Sequence, residues 1–372
     1  MKQKIWRKRG RGLRAAIAAE GLVMLLSGCG AAPPQKHTLV DTAMGTIVSQ
    51  TLYIRHGEET QSETAAVMQL LTELEQQELS WRTADSEVAR INAQVLEAEK
   101  EEQGIGGTEK APVTVSISPS MCGLLSRIWQ VSKDSGGAMD ATLGRLSRLW
   151  NLDELAALAE NASEQISIPT PEQIQVAMAD CGYEKVQLSD GTIALPAGMQ
   201  LDLGAVGKGI ACDRIREYLS GQPQITGAVV AVGGSVVTYG QKPDGSPWQV
   251  AVMHPREEGT YLGILSLTGE RYISTSGDYE RYVMADGVRY HHILDPATGY
   301  PAHSGLCSVT VVCDSGLLAD ALSTACFVLG PGQGLTLAKD YGAEALLVEE
   351  DGTLHMTEGM KKIFFKREEK NK

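Results

Sequence analysis

Five stretches of this sequence hold residue types at spacings that can do chemistry. Residues 201–213, LDLGAVGKGIACD, set three glycines around Lys208 at the head of an expected helix. Glycine lets a backbone approach a ligand closely, free N–H groups at a helix start face an anion, and the lysine adds a point charge. The run is either a phosphate cradle or a glycine stripe packing one helix on another; its spacing is neither Walker A nor GxGxxG. Residues 273–282, ISTSGDYERY, can present hydroxyls and amides to an anion, or form a plain hairpin turn. Residues 290–301, YHHILDPATGYP, put two histidines before an Asp-Pro turn. An imidazole is a general base near neutral pH, but His291 and His292 on a strand point to opposite faces, so at most one faces a site. Residues 318–330, LADALSTACFVLG, place Asp320 and Thr324 four apart on one helix face. A carboxylate beside a hydroxyl suits a hard cation such as Mg2+; the plain alternative is a dipole-favoured acid and a threonine bonded back to its own helix. Residues 136–150, GGAMDATLGRLSRLW, lead through glycines to Asp140 and Thr142, in a chemical or a structural role.

The elements that must position these residues read as follows. Residues 35–54 form a strand pair broken at Met44-Gly45-Thr46. Thr60-x-x-Glu63 resembles a capping box ahead of Val67, Leu70, Leu71 and Leu74 at helical spacing. A short helix is expected over 86–92, then a Glu/Gly-rich surface loop over 93–111. Further helices are expected over 118–131, 171–181, 207–219, 317–329 and 335–341. Short strands fall near Val186 and Ile193, most of 227–310 is β, and final strands fall at 343–348 and 353–356. Helices and strands do not alternate regularly, which favours an α+β fold over a doubly wound parallel sheet.

The chain opens on an address. Residues 2–14 carry seven Lys/Arg, followed by a short apolar stretch over 15–26 that Glu20 interrupts. A membrane-spanning helix needs roughly 20 mostly apolar residues, so a signal peptide over 1–28 fits better. It ends in LSGC, which resembles a bacterial lipobox with Cys29 as the lipidated first mature residue. The expected division is signal 1–28, linker 29–37, one domain 38–360, and a charged, fraying tail 361–372. Lipid chains would hold the protein on the extracytoplasmic face of a cell membrane.

The 372 residues are 43% hydrophobic and 21% charged, which excludes wholesale disorder, collagen and a coiled coil. Net charge is −13, and the cationic signal hides a still more acidic body. Such a body repels nucleic acid, and an anionic substrate would need a local device: a helix N-terminus, a placed lysine or a metal ion. Six further cysteines show no zinc spacing; Cys212 and Cys326 lie among apolar helix residues and read as buried free thiols, and the sequence pairs none of Cys122, Cys181, Cys212, Cys307, Cys313 and Cys326.

The order of the motifs says more than any one of them. MGT at Met44, LSWRTADSEVARIN from Leu79, MDATLGRLSRLW from Met139, LDLGAVGKGIACD, AVGGSVVTYG with PDGSPW, TSGDYERY, HHILDPATGYP and ADALSTA together resemble the ApbE family, the FAD:protein FMN transferases. The resemblance runs from about residue 40 to 330 and implies a sandwich of mainly antiparallel sheet with flanking helices, filling 38–360 as a flavin transferase domain. It implies binding of FAD with Mg2+, transfer of FMN through a phosphoester to a Thr or Ser of an exported acceptor protein, and release of AMP. Alternatives are an FAD pyrophosphatase giving FMN and AMP, or a flavin-binding lipoprotein without catalysis.

Carried over by position, the resemblance implies metal ligands at Asp320, Thr324 and the Gly207 carbonyl. It implies cofactor contacts at Met44, Trp81, Met139, Asp140, Lys208, Asp213, Ser276, Gly277, His292 and Ile293. His292 is the expected base toward the acceptor hydroxyl, with Asp320 beside it as a catalytic residue. Trp81 stands where the family frequently has Tyr, Ala231 and Ser235 where it frequently has Asn and Asp, and Ala138-Met139 where it frequently has Gly-Phe. No D-x-x-[ST]-[AGS]-T stretch reads as a flavinylation site, so the chain reads as the donor enzyme.

Overall fold

A computed structural model describes residues 33–55, 61–102, 112–152, 154–155 and 167–367. Thr60 and the lipobox with Cys29 lie outside these residues. Residues Pro34–Lys372 cluster as one compact unit.

Strands β1 (Gln35–Ala43) and β2 (Thr46–Ile54) pair antiparallel across a two-residue turn at Met44-Gly45. Both turn residues have positive φ, 52° and 66°, as a tight hairpin following strand twist requires. Helix α1 (Gln61–Glu73) continues into a wider turn at Leu74–Leu79, which leads into Ser80, Trp81 and Arg82 on a cavity wall. Ser86 caps α2 (Glu87–Glu102), its Oγ accepting from the Ala89 N–H at 3.0 Å. The helix corrects the expectation of a loop from residue 93. Val88, Ile91 and Val95 extend one buried stripe, and Ala, Glu and Lys carry the helix on until the glycines begin.

Strand β3 (Pro112–Ser116) leads to α3 (Pro119–Asp134), capped by Ser118 with Pro at the first turn. The short α4 (Gly144–Trp150) and α5 (Pro171–Ala179) follow, the latter opened by a full Thr170/Gln173 capping box. Strand β5 (Thr192–Pro196) pairs with both β3 and β4 (Gln187–Ser189) in a small sheet of order β3-β5-β4. Helix α6 (Gly207–Ser220) then enters the core. The rest is β6 (Ile225–Val232), β7 (Ser235–Gly240), β8 (Trp248–Met253), β9 (Tyr261–Leu267), β10 (Arg271–Gly277), the hairpin β11 (Tyr282–Ala285) and β12 (Val288–His291), and β13 (Leu306–Cys313). Helix α7 (Gly316–Asp340) is broken at Gly330, where φ is 78° and Pro331 follows. The chain closes with β14 (Glu344–Glu349), β15 (Leu354–Met356), the single turn α8 (Met360–Ile363) and β16 (Phe364–Lys366).

Eight strands make one antiparallel sheet, in the order β1-β2-β6-β7-β10-β13-β14-β15. Strand alternation sends Val230, Val232, Val237, Val309, Val311 and Leu347 to one face, where α6 and α7 cover them with Ile210, Ile215, Leu322 and Phe327. Val236, Ile273, Val312 and Leu346 point to the other face, against Trp248, Val252, Leu265 and Phe364 of the second sheet, β16-β9-β8. This is the expected α+β sandwich with flanking helices. Helix α7 is long and apolar enough to cross a membrane by length and composition, but it is the buried core helix. The segment expected to fray from Lys361 is instead structured at its start: β16 pairs with β9, and Phe364 is buried beneath it. All six cysteines among the described residues are free thiols, with Cys212 and Cys326 fully buried.

Candidate active site

Helices α6 and α7 cross where both lack side chains. A Cβ added at Gly209 would lie 2.1 Å from the Gly316 carbonyl oxygen, and one at Gly316 would lie 2.1 Å from that of Gly209. The close approach lets the Gly209 N–H donate to Asp320 Oδ2 at 2.9 Å. Asp320 Oδ1 accepts from Ser274 Oγ at 2.6 Å and, more weakly, from Ser235 Oγ at 3.4 Å. One turn along α7, Thr324 lies 3.4 Å from Ser276 Oγ, which also bonds Ser323 Oγ at 2.8 Å. The glycine run therefore packs helices and also presents a backbone donor to the site.

Around this centre open two joined cavities. The smaller, about 140 Å3, is lined by Met139, Asp140, Ser276, His292, Ile293, Asp320 and Thr324, with Lys208 on its wall. The larger, about 810 Å3, takes in Met44, Trp81, Gly207 and again Lys208. Arg82, Asp202, Gly204, Lys208, Thr275, Glu280 and Arg281 belong to both. The smaller lobe alone is below the size of ordinary small-molecule pockets, and the larger falls within it. Positive φ at Met44 turns that residue into the cavity mouth, where its N–H donates to Glu75 Oε2 at 3.1 Å. Trp81 carries the guanidinium of Arg148 at 4.3 Å and that of Arg82 at 4.6 Å from its ring centroid.

The two histidines separate as strand geometry requires. His291 is buried; its Nδ1 accepts from the Ile293 N–H at 3.3 Å, which leaves Nε2–H to donate to the Ala302 carbonyl at 3.0 Å. Its role is structural. His292 lines the cavity, with Nδ1 3.3 Å from the Arg281 carbonyl and its backbone N–H bonded to the same oxygen at 3.1 Å. A carbonyl only accepts, so Nδ1 carries the proton and Nε2 keeps a free lone pair. Desolvation, then the charges of Arg281 and Lys208, holds this imidazole well below its ordinary value. That direction favours the neutral imidazole.

Two of the expected cofactor contacts lie outside the cavity linings. Asp213 lines neither cavity; its carboxylate accepts from the N–H groups of Gly316 at 2.7 Å and Leu317 at 3.0 Å, stabilising the start of α7. Gly277 is outside the cavities too, and its missing Cβ makes room for the Tyr279 ring, which would lie 2.3 Å away. Asp140 lines the smaller lobe, but its oxygens accept from Thr142 N–H, Thr142 Oγ1 and Tyr183 N–H at 2.7–3.0 Å. Burial raises its pKa despite those bonds. Its carboxylate shapes a cavity wall. Sequence reasoning missed Arg82, Asp202, Glu280 and Arg281. Each sits inside a motif it quoted, Arg82 directly after Trp81, and only the cavity distinguishes them.

The donors assigned to a metal form a set of hard oxygens. Three donors occupy the Asp320 carboxylate and leave acceptor capacity free, and Thr324 adds a hydroxyl. No cluster of three or more His, Cys, Asp or Glu assembles among the described residues. That fits a cation that keeps water and substrate phosphate in its shell, as Mg2+ does, and not one caged by protein alone.

A sequence model of the ApbE family matches residues 44–347. The FAD:protein FMN transferase of Treponema pallidum is 32% identical over 362 residues, covering 91% of this chain and 92% of the relative. The crystal structure of the ApbE protein from Thermotoga maritima superimposes with a TM-score of 0.75 at 31% identity, over 90% of this chain and all of that one. The apo flavinyl transferase ApbE of Pseudomonas stutzeri gives 0.72 at 29% identity, over 89% and 98%. Shared topology, near-full coverage and a match that spans every wall of the cavity lead to one conclusion: the chain belongs to the ApbE family.

Proposed function

We propose that this protein is a Mg2+-dependent FAD:protein FMN transferase that acts on exported acceptors from a lipid anchor at Cys29. The observation that carries the reading is the meeting, in one cavity, of Asp320 and Thr324 with Lys208 and the neutral His292. Asp320, Thr324 and the Gly207 carbonyl would hold the cation, which when bound neutralises pyrophosphate charge. Lys208, at the first turn of α6, faces the phosphates with the helix N-terminus behind it. The acceptor hydroxyl oxygen attacks the phosphorus of the FMN half. The P–O bond to the AMP half breaks, AMP leaves with the bridging oxygen, and His292 Nε2 takes the hydroxyl proton. Met44, Trp81, Met139 and Ile293 supply the apolar and stacking surface for the flavin nucleotide.

The test is mass spectrometry of a partner bearing a D-x-x-[ST]-[AGS]-T segment, incubated with FAD and Mg2+, with AMP followed in parallel. A partner heavier by one FMN, with AMP released only in its presence, is the expected result. AMP without a heavier partner would make the chain a pyrophosphatase. Tight FAD binding indifferent to Mg2+, with no AMP, would make it a flavin-binding lipoprotein. The anchor is tested separately: Cys29→Ala is expected to move the chain from the membrane fraction to the soluble one.

A further inference from the structure

The Arg281 carbonyl sets the tautomer of His292, so whatever fixes that carbonyl also sets the base. Arg281 ends the tight turn between β10 and β11, and His292 directly follows β12. Within the hairpin, Tyr282 stands opposite His291, so the two ends that must meet are the two ends of the same ladder. At its root sits Asp278, 5% exposed. Its N–H donates to the Cys307 carbonyl of β13 at 3.2 Å. Its carboxylate takes both Nη groups of Arg256, from the β8–β9 connection, at 2.7 and 2.8 Å. Arg289 Nη1 of β12 comes to 3.3 Å from Oδ1; it is not aligned for a hydrogen bond, so charge alone draws it in. The Arg289 guanidinium also lies 4.3 Å from the Tyr282 ring centroid, clamping β12 to β11. The buried carboxylate thus ties the β8–β9 connection and β12 to the turn that ends in Arg281, while the Asp278 N–H ties that turn to β13. A planar bidentate pair is geometrically stiff, and breaking it leaves guanidinium groups half-buried without their partner.

We infer that Asp278, gripped by Arg256 and Arg289, is a positioning residue that holds the Arg281 carbonyl against His292 Nδ1 and so keeps Nε2 free toward the acceptor hydroxyl. Asp278 lines neither cavity. The inference rests on His292 being the base. Its effect is therefore on turnover, not on FAD capture, because Lys208, Asp320 and Thr324 are held by α6 and α7.

The test uses Asp278→Asn and, as a milder variant, Arg256→Lys, which keeps the charge and loses the bidentate fork. For Asp278→Asn, FAD affinity by flavin fluorescence is expected to stay within about twofold and kcat to fall about tenfold or more, since small misplacement of a reacting group costs that much. The acid limb of the kcat–pH profile is expected to move, since His292 meets the charges of Arg281, Lys208 and His291 differently once its partner carbonyl shifts. Arg256→Lys is expected to show the same split with a smaller loss, and it decides the matter if Asp278→Asn does not fold. In a His292→Ala background, Asp278→Asn is expected to add nothing. Losses that multiply, an unmoved pH profile, or FAD affinity falling in step with kcat would overturn the inference. Full transfer by His292→Ala alone would instead sink the assignment of the base.

Discussion

Asp320 is committed to three protein donors before any cation arrives: Ser274, Ser235 and the Gly209 N–H. This decides how its substitution reads. Asp320→Ala strands those donors in a buried site, at a cost of about 1–3 kcal/mol in stability, and removes the carboxylate proposed to hold the cation. AMP release is expected to fall by more than about 100-fold. Asp320→Asn keeps the shape and an acceptor oxygen, so its melting point should stay closer to that of the parent while activity is still lost. Thermal melts beside AMP assays separate the two effects; turnover surviving in both variants would remove Asp320 from the chemistry. The histidines give a second prediction. His291 and His292 both sit below the ordinary 6.5, burial being the first cause for each. Below about pH 6.5 the unfolded chain takes up protons that the folded one refuses, so their contribution is complete above 6.5 and lost as pH falls. Melts across a buffer series should decline from that pH downward, and His292→Gln should flatten part of the decline. The acid limb of the activity profile should likewise lie below 6.5.

At the scale of elements, the crossing of α6 and α7 places Lys208 opposite Asp320 and Thr324, and it depends on glycine. Gly209→Ala has nowhere to put its methyl but into the Gly316 carbonyl, so the helices must part. The expected loss is about 1–3 kcal/mol, with FAD-dependent turnover falling alongside because the Gly209 N–H leaves Asp320. Gly332→Ala, which meets open space further along α7, is the control that should be neutral or stabilising. An unaffected Gly209→Ala protein would mean that the crossing does not build the site. This crossing also marks what the sequence could and could not tell. Asp320 and Thr324 were legible because helical spacing alone puts them on one face. The glycine run was legible only as a choice between packing and binding, because one position does both. The capping role of Asp213 was not legible, since the amides it caps begin 103 residues away and nothing local announces them. Glu280 and Arg281 were passed over for hydroxyls and glycines in the same motif, because a cavity wall is a property of assembled strands. The length of α2 was missed where glutamates were taken for solvation, although Val95 still faced the core.

The whole molecule is a sheet with two unequal coats. The helical coat supplies Lys208, Asp320 and Thr324, and the small sheet β16-β9-β8 seals the opposite face around Trp248, Leu265 and Phe364. The last strand is short, but it is fitted: Lys366 pairs with Gly263, and a Cβ at Gly263 would lie 2.4 Å from the Phe364 ring. A residue set that closely contributes to stability out of proportion to its place near the end of the chain. Phe364→Ala should therefore cost about 3–5 kcal/mol, seen as a lower melting point. Because Phe364 packs on the face of the sheet away from Asp320, kcat at a temperature where the variant is folded should stay within about twofold. An unchanged melt would show that β16 adds nothing to the coat. Turnover lost before the melt begins would show instead that this sheet, through the β8 residues Val250 to Met253 that line the larger lobe, reaches the chemistry itself.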